Sequence, residues 1–467
     1  MLRNFSLVIL MCGIIVMAPL SGCLNDSDDS SNVPDNESND NENLDNQTST
    51  GNVTDTDNNN STGIQEPDKG WPFSVEYVNE SLVEEDGLIL IAKNGGNKIY
   101  LINKSGDPLH SWRTDLRLGN DFQLLPNGDL LGLFKPDGEV NNTLGFGGYG
   151  GIIAIVGPDS EIKWSYTIAS DEERAHHDVE MLPNGNILVM VWNLLNCTLA
   201  LEMGIDCQAD LAYESLYEIS TASNSVVWEW RSIDHIIQDR YPEKPNYGNI
   251  TTNNHRIDFN FNANHPAHGQ SGDIMHANGI DYDEENELIY LSVNFYNEIW
   301  VIDHSTTIEE AANSSGGNYG VGGDLVYRFG NSTAYQSNES IIFSKNHHPN
   351  LIKDQNILGF GNILVFSNGG IDTNNISTIM EISLPVSDYP TMTPPQVVWS
   401  FSNEELYSRI ISGAERGLNN NTYIAEGDYG VWEVTPSGEV AWKFDFGGTW
   451  RAYVYYHGEP EIDNLLS

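Results

Sequence analysis

Leu125-Pro-Asn-Gly-Asp-Leu-Leu131 and Leu182-Pro-Asn-Gly-Asn-Ile-Leu188 are two copies of one signature, in which an apolar residue, Pro-Asn-Gly and a second apolar run follow one another. Asn-Gly between apolar runs predicts a tight hairpin, because both central residues of such a turn need φ > 0. Looser copies occur at Asp281-Tyr-Asp-Glu-Glu-Asn-Glu-Leu-Ile289, Gly361-Asn-Ile-Leu-Val-Phe366 and Gly417-Leu-Asn-Asn-Asn-Thr-Tyr423. A second unit follows each hairpin: an apolar strand, a turn, then a strand ending in an aromatic. It runs from Ile99-Tyr-Leu-Ile102 to Trp112, from Ile152-Ile-Ala-Ile155 to Trp164, and from Leu216-Tyr-Glu-Ile219 to Trp228 and Trp230. It recurs from Ile299-Trp-Val-Ile302 to Tyr327, from Ile379-Met-Glu-Ile382 to Trp399, and from Val431-Trp-Glu-Val434 to Trp442. Six copies at a period of about 50–70 residues, with no sustained helical periodicity, predict an all-β fold. The expectation is a six-bladed β-propeller with four-stranded antiparallel blades; seven blades is the alternative count.

Upstream of the repeats the chain reads differently. Arg3 is the only charge before an apolar run from Phe5 to Leu20, and Leu20-Ser-Gly-Cys23 follows. A short positive segment, an apolar core and small residues before a cut read as a secretory signal. The run is short for a membrane span. Cys23 directly after Leu-Ser-Gly reads as a lipobox, whose thiol receives a lipid and anchors the mature chain. Residues 24–70 are almost all Asn, Asp, Ser, Thr and Glu, with no aromatic residue. Such a stretch cannot bury enough surface to offset chain entropy, so a disordered acidic linker is expected. Residues 1–23, 24–70 and 71–467 are thus expected to be a signal peptide with lipobox, a disordered acidic linker and the propeller, on the extracytoplasmic face of a membrane.

The formal net charge is −46, from 67 acidic and 21 basic side chains. That balance excludes nucleic acid as a partner, because the phosphate backbone is met by Lys and Arg. Four cysteines are present. Cys12 falls in the expected signal and Cys23 is the expected lipidation site. Cys197 and Cys207 remain, and in an exported chain their close spacing predicts a local disulfide. Sequons such as Asn249-Ile-Thr251 and Asn331-Ser-Thr333 suit a surface glycoprotein. The Asn-rich stretch from Asp239 to Gly272 is too long for a blade turn; it is either a lid over the channel or a disordered excursion.

Five residues upstream of the hairpin signatures, three repeats carry histidine: His177 before Leu182, His276 before Asp281 and His347 before Ile352. The first repeat has Asn120 there and the sixth has Ser412. The strand entering each hairpin is expected to be the innermost of its blade, so one register position points to one place, the central channel. His176 and His348 neighbour two of these residues. Adjacent strand residues face opposite ways, so one of each pair is expected in the channel. The remaining histidines, His110, His235, His255, His265, His268, His304 and His457, read as surface or loop residues. Three converging imidazoles suit either a metal site or nucleophile, acid and base work on an anion. Asp178 and Asp273 are placed in sequence to orient an imidazole.

The segments carrying these histidines resemble the arylsulfotransferase family from about Gly87 to Tyr455. The resembling stretches include His176-His-Asp-Val-Glu-Met-Leu-Pro-Asn-Gly-Asn-Ile-Leu188, His276-Ala-Asn-Gly-Ile280, His347-His-Pro-Asn350 and Ser412-Gly-Ala-Glu-Arg416. The resemblance implies a six-bladed propeller that moves a sulfuryl group from an aryl sulfate donor to a phenolic acceptor. It implies a covalent sulfo-histidine, no nucleotide sulfate donor, no cofactor and no metal. By position, the nucleophile falls at His347, or at His348 if the register slips. The sulfate-binding histidines fall at His177 and His276, with Asn278 beside the latter. Asn294 stands where the family often has Arg, so Arg416 or Arg451 would have to supply that charge. The physics suits imidazole: sulfuryl transfer, like phosphoryl transfer, is a loose in-line displacement that needs positioning and charge stabilisation. Two other classes stay open on the residues alone, a metal-dependent hydrolase or oxidase and a non-catalytic binding propeller at the surface.

The targeting segment generates the first test. Membrane-fraction blots of cells expressing the natural chain and Cys23→Ser should differ, with the variant released to the soluble fraction; equal partition would refute the anchor.

Overall fold

The computed structural model describes residues 71–138, 144–338, 340–369 and 374–467. The expected signal, Cys23 and the linker lie outside them. Six antiparallel sheets follow one another along the chain. Strand β1 (Ser74–Val78) comes first but belongs to the last blade. Blade I holds β2 (Gly87–Ala92), β3 (Lys98–Ile102) and β4 (Pro108–Arg113). Blade II is β5 (Leu118–Leu124), β6 (Leu130–Phe134), β7 (Ile152–Val156) and β8 (Ile162–Thr167). Blade III is β9 (Glu173–Met181), β10 (Ile187–Leu195), β11 (Leu211–Ser220) and β12 (Ser225–Arg231). Blade IV is β13 (Ala277–Asp283), β14 (Leu288–Val293), β15 (Glu298–Asp303) and β16 (Tyr327–Phe329). Blade V is β17 (Asn346–Leu351), β18 (Ile363–Ser367), β19 (Thr378–Ser383) and β20 (Gln396–Ser402). Blade VI is β21 (Gly413–Arg416), β22 (Thr422–Glu426), β23 (Gly430–Val434) and β24 (Val440–Asp445). The six-bladed, all-β expectation holds.

The Pro-Asn-Gly turns join β5 to β6 and β9 to β10, with Gly128 and Gly185 at φ of 81° and 80°; Asn127 and Asn184 do not take positive φ, so only the glycine of each turn needs the left-handed region. The apolar runs are buried on both faces because each blade packs between two others. In β18, Ile363 and Val365 enter the core shared with blade IV, whereas Leu364 and Phe366 enter the core shared with blade VI. The period-2 alternation of a strand thus distributes one continuous apolar run between two interblade cores.

Ring closure uses both ends of the described chain. Strand β25 (Ala452–Tyr456) pairs with β2 as the inner strand of blade I, with Gly87 opposite Tyr456 and Ile91 opposite Ala452. Strand β1 pairs with β24 and makes blade VI five-stranded. A buried ion pair spans the same seam: Lys104 Nζ of blade I lies 2.5 Å from Glu433 Oε2 of blade VI. The ammonium also sits 4.3 Å from the Tyr423 and Trp442 ring centres.

The stretch from Asp239 to Gly272 is folded. Ile250, Ile257, Phe259 and Ala263 are buried, and the latter three join the core between blades III and IV. It carries two short helices, α1 (Asn260–Ala263) and α2 (His268–Ser271). Cys197 and Cys207 are bonded across the loop between β10 and β11, with Cα atoms 5.8 Å apart. Asn331 is buried and donates its amide to the Tyr296 carbonyl, so that sequon has no room for a glycan; Asn249 is exposed. His235, expected at the surface, is fully buried between Asp324 and the Ala311 carbonyl.

Removing one partner of a buried ion pair leaves an uncompensated charge. Lys104→Ala should therefore lower stability by about 3–5 kcal/mol, measured by denaturant unfolding. A loss within the range of a surface substitution would show that the seam does not depend on this pair.

Candidate functional site

The inner strands β5, β9, β13, β17, β21 and β25 face the axis, and four of them break their pairing at one level. Bulges lie between Leu118 and Phe122 in β5, within His176–Val179 of β9, between Ala277 and Gly279 in β13, and between His347 and Asn350 in β17. A bulge re-aims side chains and ends regular alternation. His177 and His276 take left-handed φ of 56° and 47°, a region that non-glycine residues seldom occupy. Their rings meet edge to face with centroids 4.9 Å apart. Trp450 joins them to the third histidine, with its ring 5.6 Å from His177 and 6.5 Å from His347.

Each of the three imidazoles has its own supporting group. His347 Nδ1 lies 2.6 Å from Asn368 Oδ1. The Asn368 amide nitrogen donates to the Ser408 and Ile411 carbonyls, which fixes Oδ1 as the acceptor and Nδ1 as protonated. The lone pair is then on His347 Nε2, which accepts from the Ile411 N–H at 3.2 Å. His276 Nδ1 lies 2.5 Å from Asp273 Oδ2, so Asp273 takes the orienting role expected for it. Asp178 does not. It accepts from the Ile280 N–H and faces Arg451. His177 is met instead by His176, Nδ1 to Nδ1 at 2.8 Å. The bulge thus brings both members of this pair to one place, contrary to simple alternation.

His347 and His348 do separate. His348 faces away from the other histidines, toward Tyr453 and a cavity of about 370 Å³ at the hairpin end of the inner strands. Carboxyls of Asp121, Asp178, Glu180, Asp281 and Glu415 line that cavity. Burial pushes Glu180 and Glu415 up to about 8. Arg416 lines it too, but its guanidinium is held by Glu381 at 2.7 Å, Thr422 and the Leu358 carbonyl, so it does not join the histidines. Arg451 does. Its Nη2 donates to the Asn278 carbonyl at 2.9 Å and its Nη1 stands 3.6 Å from Asp178, while Nε and Nη1 make no hydrogen bond. Burial depresses the His177, His347 and His348 imidazoles, and the Arg451 charge adds to it. Asn278 and Asn294 are spent elsewhere: both donate to the Asn346 carbonyl, at 2.9 and 3.2 Å, and with Ser292 they clamp the backbone that carries His347.

Among the described residues, no group of three or more His, Cys, Asp or Glu side chains is placed to hold a metal ion. The excursion from Asp239 reaches the site through stacked rings, His268 on Phe295 at 3.8 Å and Phe295 on His276 at 4.9 Å. Asn368, Trp450, His176 and Glu214 were not identified as site residues from sequence. Asn368 and Trp450 had a usable signal, one two residues past the quoted Gly361–Phe366 hairpin run and the other beside Arg451. Glu214 had none.

Burial, opposed by the Asn368 hydrogen bond and reinforced by Arg451 and His276, holds the His347 imidazole down to about 3. The unfolded ring, near pKa 6.5, binds a proton between pH 6.5 and about 3 that the folded ring does not. Folded stability should therefore fall as pH falls through that window. His347→Asn should reduce the slope by up to one proton, about 1.4 kcal/mol per pH unit, read from denaturant unfolding at pH 4, 5 and 6. An unchanged slope would refute the burial of a neutral ring.

Three solved structures match this chain at low identity. The hydrazine synthase of Kuenenia stuttgartiensis is 12% identical with a TM-score of 0.34, over 63% of this chain and 68% of that one. A putative 6-phosphogluconolactonase from Bacteroides fragilis NCTC 9343 is 9% identical with a TM-score of 0.40, over 81% and 100%. Chaetomium thermophilum Raptor is 11% identical with a TM-score of 0.39, over 80% and 24%. No match was found among curated proteins. The model of the arylsulfotransferase (ASST) family matches residues 84–445, from the edge of blade I to the end of β24 and across all the converging histidines, and the chain belongs to that family.

Proposed function

We propose that this propeller transfers a sulfuryl group from an aryl sulfate to a phenolic acceptor through a sulfo-histidine on His347. One observation carries the reading: a buried imidazole whose lone pair is fixed on Nε2 stands in the field of a buried guanidinium with two unsatisfied nitrogens. In the first half-reaction, His347 Nε2 gives up the hydrogen bond from the Ile411 N–H and attacks sulfur as the bond to the aryl oxygen breaks and a phenolate leaves. In the second, the acceptor oxygen attacks sulfur and the electron pair of the S–N bond returns to His347. The phenolate, with a parent pKa near 10, is a competent leaving group.

Charge on the three equatorial oxygens is the main demand of such a transition state, and fixed donors in a water-poor site answer it best. Arg451 supplies the cation that Asn294 does not. The indole N–H of Trp450, buried and without a partner, is a further donor at the same place. His276 with Asp273 behind it suits a position opposite the sulfuryl oxygens. Asn278 and Asn294 act through the Asn346 clamp rather than on the ligand. Membership of the arylsulfotransferase family supports an aryl sulfate as the donor, and export with anchoring through Cys23 would put the reaction outside the membrane.

Intact mass after exposure to 4-nitrophenyl sulfate tests this. The natural chain and His348→Ala should gain one sulfuryl group, His347→Ala should gain none, and Arg451→Met should turn over roughly 10²–10³-fold more slowly, as for one lost oxyanion donor. An adduct that persists in His347→Ala, or turnover that requires an added metal, would overturn the mechanism.

A further inference from the structure

His177 is backed by a chain of buried groups that the sulfuryl chemistry above does not use. His176 lies between His177 and Glu214: its Nδ1 is 2.8 Å from His177 Nδ1, and its Nε2 is 2.9 Å from Glu214 Oε2, a charge contact off hydrogen-bond geometry, so neither of those last two atoms has a hydrogen-bond partner among the described residues. The His176 ring is stacked on Trp192 at 3.9 Å with planes 6° apart, which fixes its orientation. Glu214 is itself held. Its Oε1 accepts from the Trp192 indole N–H at 3.1 Å and from the Ala277 N–H at 2.9 Å, next to His276. All four residues are essentially excluded from solvent.

The order of protons along this chain follows from the carboxylate at its end. A carboxylate beside Nε2 favours the His176 tautomer with its proton there, which leaves a lone pair on Nδ1. Two imidazole nitrogens 2.8 Å apart must share one proton, so His177 carries it on Nδ1. The lone pair of His177 is then on Nε2, where it is an acceptor. A group so arranged cannot donate to a sulfuryl oxygen, but it can take a proton from a phenol.

We propose that Glu214 and His176 are positioning residues that set His177 as the general base for the phenolic acceptor; this rests on the sulfuryl-transfer reading. As the acceptor oxygen bonds to sulfur and the S–N bond to His347 breaks, the phenolic proton goes to His177 Nε2. The proton on His177 Nδ1 shifts to His176 Nδ1, and the positive charge is shared with the Glu214 carboxylate. The extra proton returns to solvent when the new aryl sulfate departs. Proximity alone would not require the second imidazole or the buried carboxylate; their joint effect is to hold the tautomer and delocalise the charge.

Acceptor acidity separates this role from a structural one. Sulfo-enzyme formed with 4-nitrophenyl sulfate is challenged with phenols that range from a dinitrophenol, ionised at pH 7, to an alkylphenol. In Glu214→Gln and His176→Gln, transfer to the alkylphenol should fall roughly 10²-fold or more, with little change for the dinitrophenol or for sulfo-enzyme formation. Equal losses across all acceptors, or no loss, overturn the proposal. A second measurement holds if the variants misfold or if the natural chain never becomes sulfated. Nitrogen-15 spectra of histidine-labelled natural protein should show His177 unprotonated at Nε2 and a proton shared between the Nδ1 atoms of His176 and His177. A protonated His177 Nε2 refutes the relay, whatever the fate of the sulfuryl reading; failure of the natural chain to form sulfo-enzyme refutes that reading alone.

Discussion

Closure of the ring by β25 is the constraint on which the rest of the molecule depends. Each blade buries both faces, so an open end would expose two of them. The core between blades VI and I takes Ile89 and Ile91 from β2, Tyr423 and Ala425 from β22, and Ala452, Val454 and Tyr456 from β25 itself. The Lys104–Glu433 pair lies in the same seam, where its mutual neutralisation is the condition for burying either charge. Trp450 and Arg451 stand immediately before β25 in the chain. The registration of that strand against β2 is therefore what brings a cation to histidines more than a hundred residues upstream.

The second physical theme is the deliberate interruption of the inner strands. A regular strand would send His176 and His177 to opposite faces. The bulge and the left-handed backbone at His177 bring them into contact. Left-handed φ at a non-glycine residue costs on the order of 1 kcal/mol, and it persists because the surroundings determine it. The amide of His177 is tied to the Gly148 carbonyl, which also receives the Asn120 side chain. The carbonyl before His347 is held by three donors from blade IV. Strain in one blade is thus carried by hydrogen bonds from the next, so the geometry of the site belongs to the ring rather than to any one sheet.

Much of this architecture could be read from the residues. The Pro-Asn-Gly turns and the apolar runs ending in aromatics specify hairpins by local chemistry, and they recur often enough to count blades. The common register of His177, His276 and His347 survives because all three precede their hairpins by one spacing. What could not be read depends on long-range pairing or on departures from periodicity. Nothing in Ala452-Tyr-Val-Tyr-Tyr456 says that its partner is β2, over 350 residues away. Arg416 and Arg451 are equivalent as cations in sequence, and only the buried Glu381 beside Arg416 tells them apart. Asn294 looked like a substitute for a lost Arg, whereas its amide is engaged by a backbone carbonyl. The fold of Asp239 to Gly272 was obscured by its Asn content, since a few well-placed apolar residues, Ile257, Phe259 and Ala263, suffice to seat it.

The channel side chains lie against bare backbone supplied by neighbouring blades. A methyl group on Gly148 would overlap the ring of His177, one on Gly413 would overlap His348, and one on Gly279 would crowd Pro349 and the guanidinium of Arg451. These glycines touch no ligand and bear no charge, yet their lack of a side chain is what lets the rings occupy their places. Tolerance to mutation around this channel should therefore follow a pattern that a catalogue of reactive groups would miss: positions 148, 279 and 413 should be as intolerant of alanine as the histidines are. Divergence of such a propeller is then confined to the walls between these fixed points, where a side chain can grow without displacing the converging rings and the guanidinium.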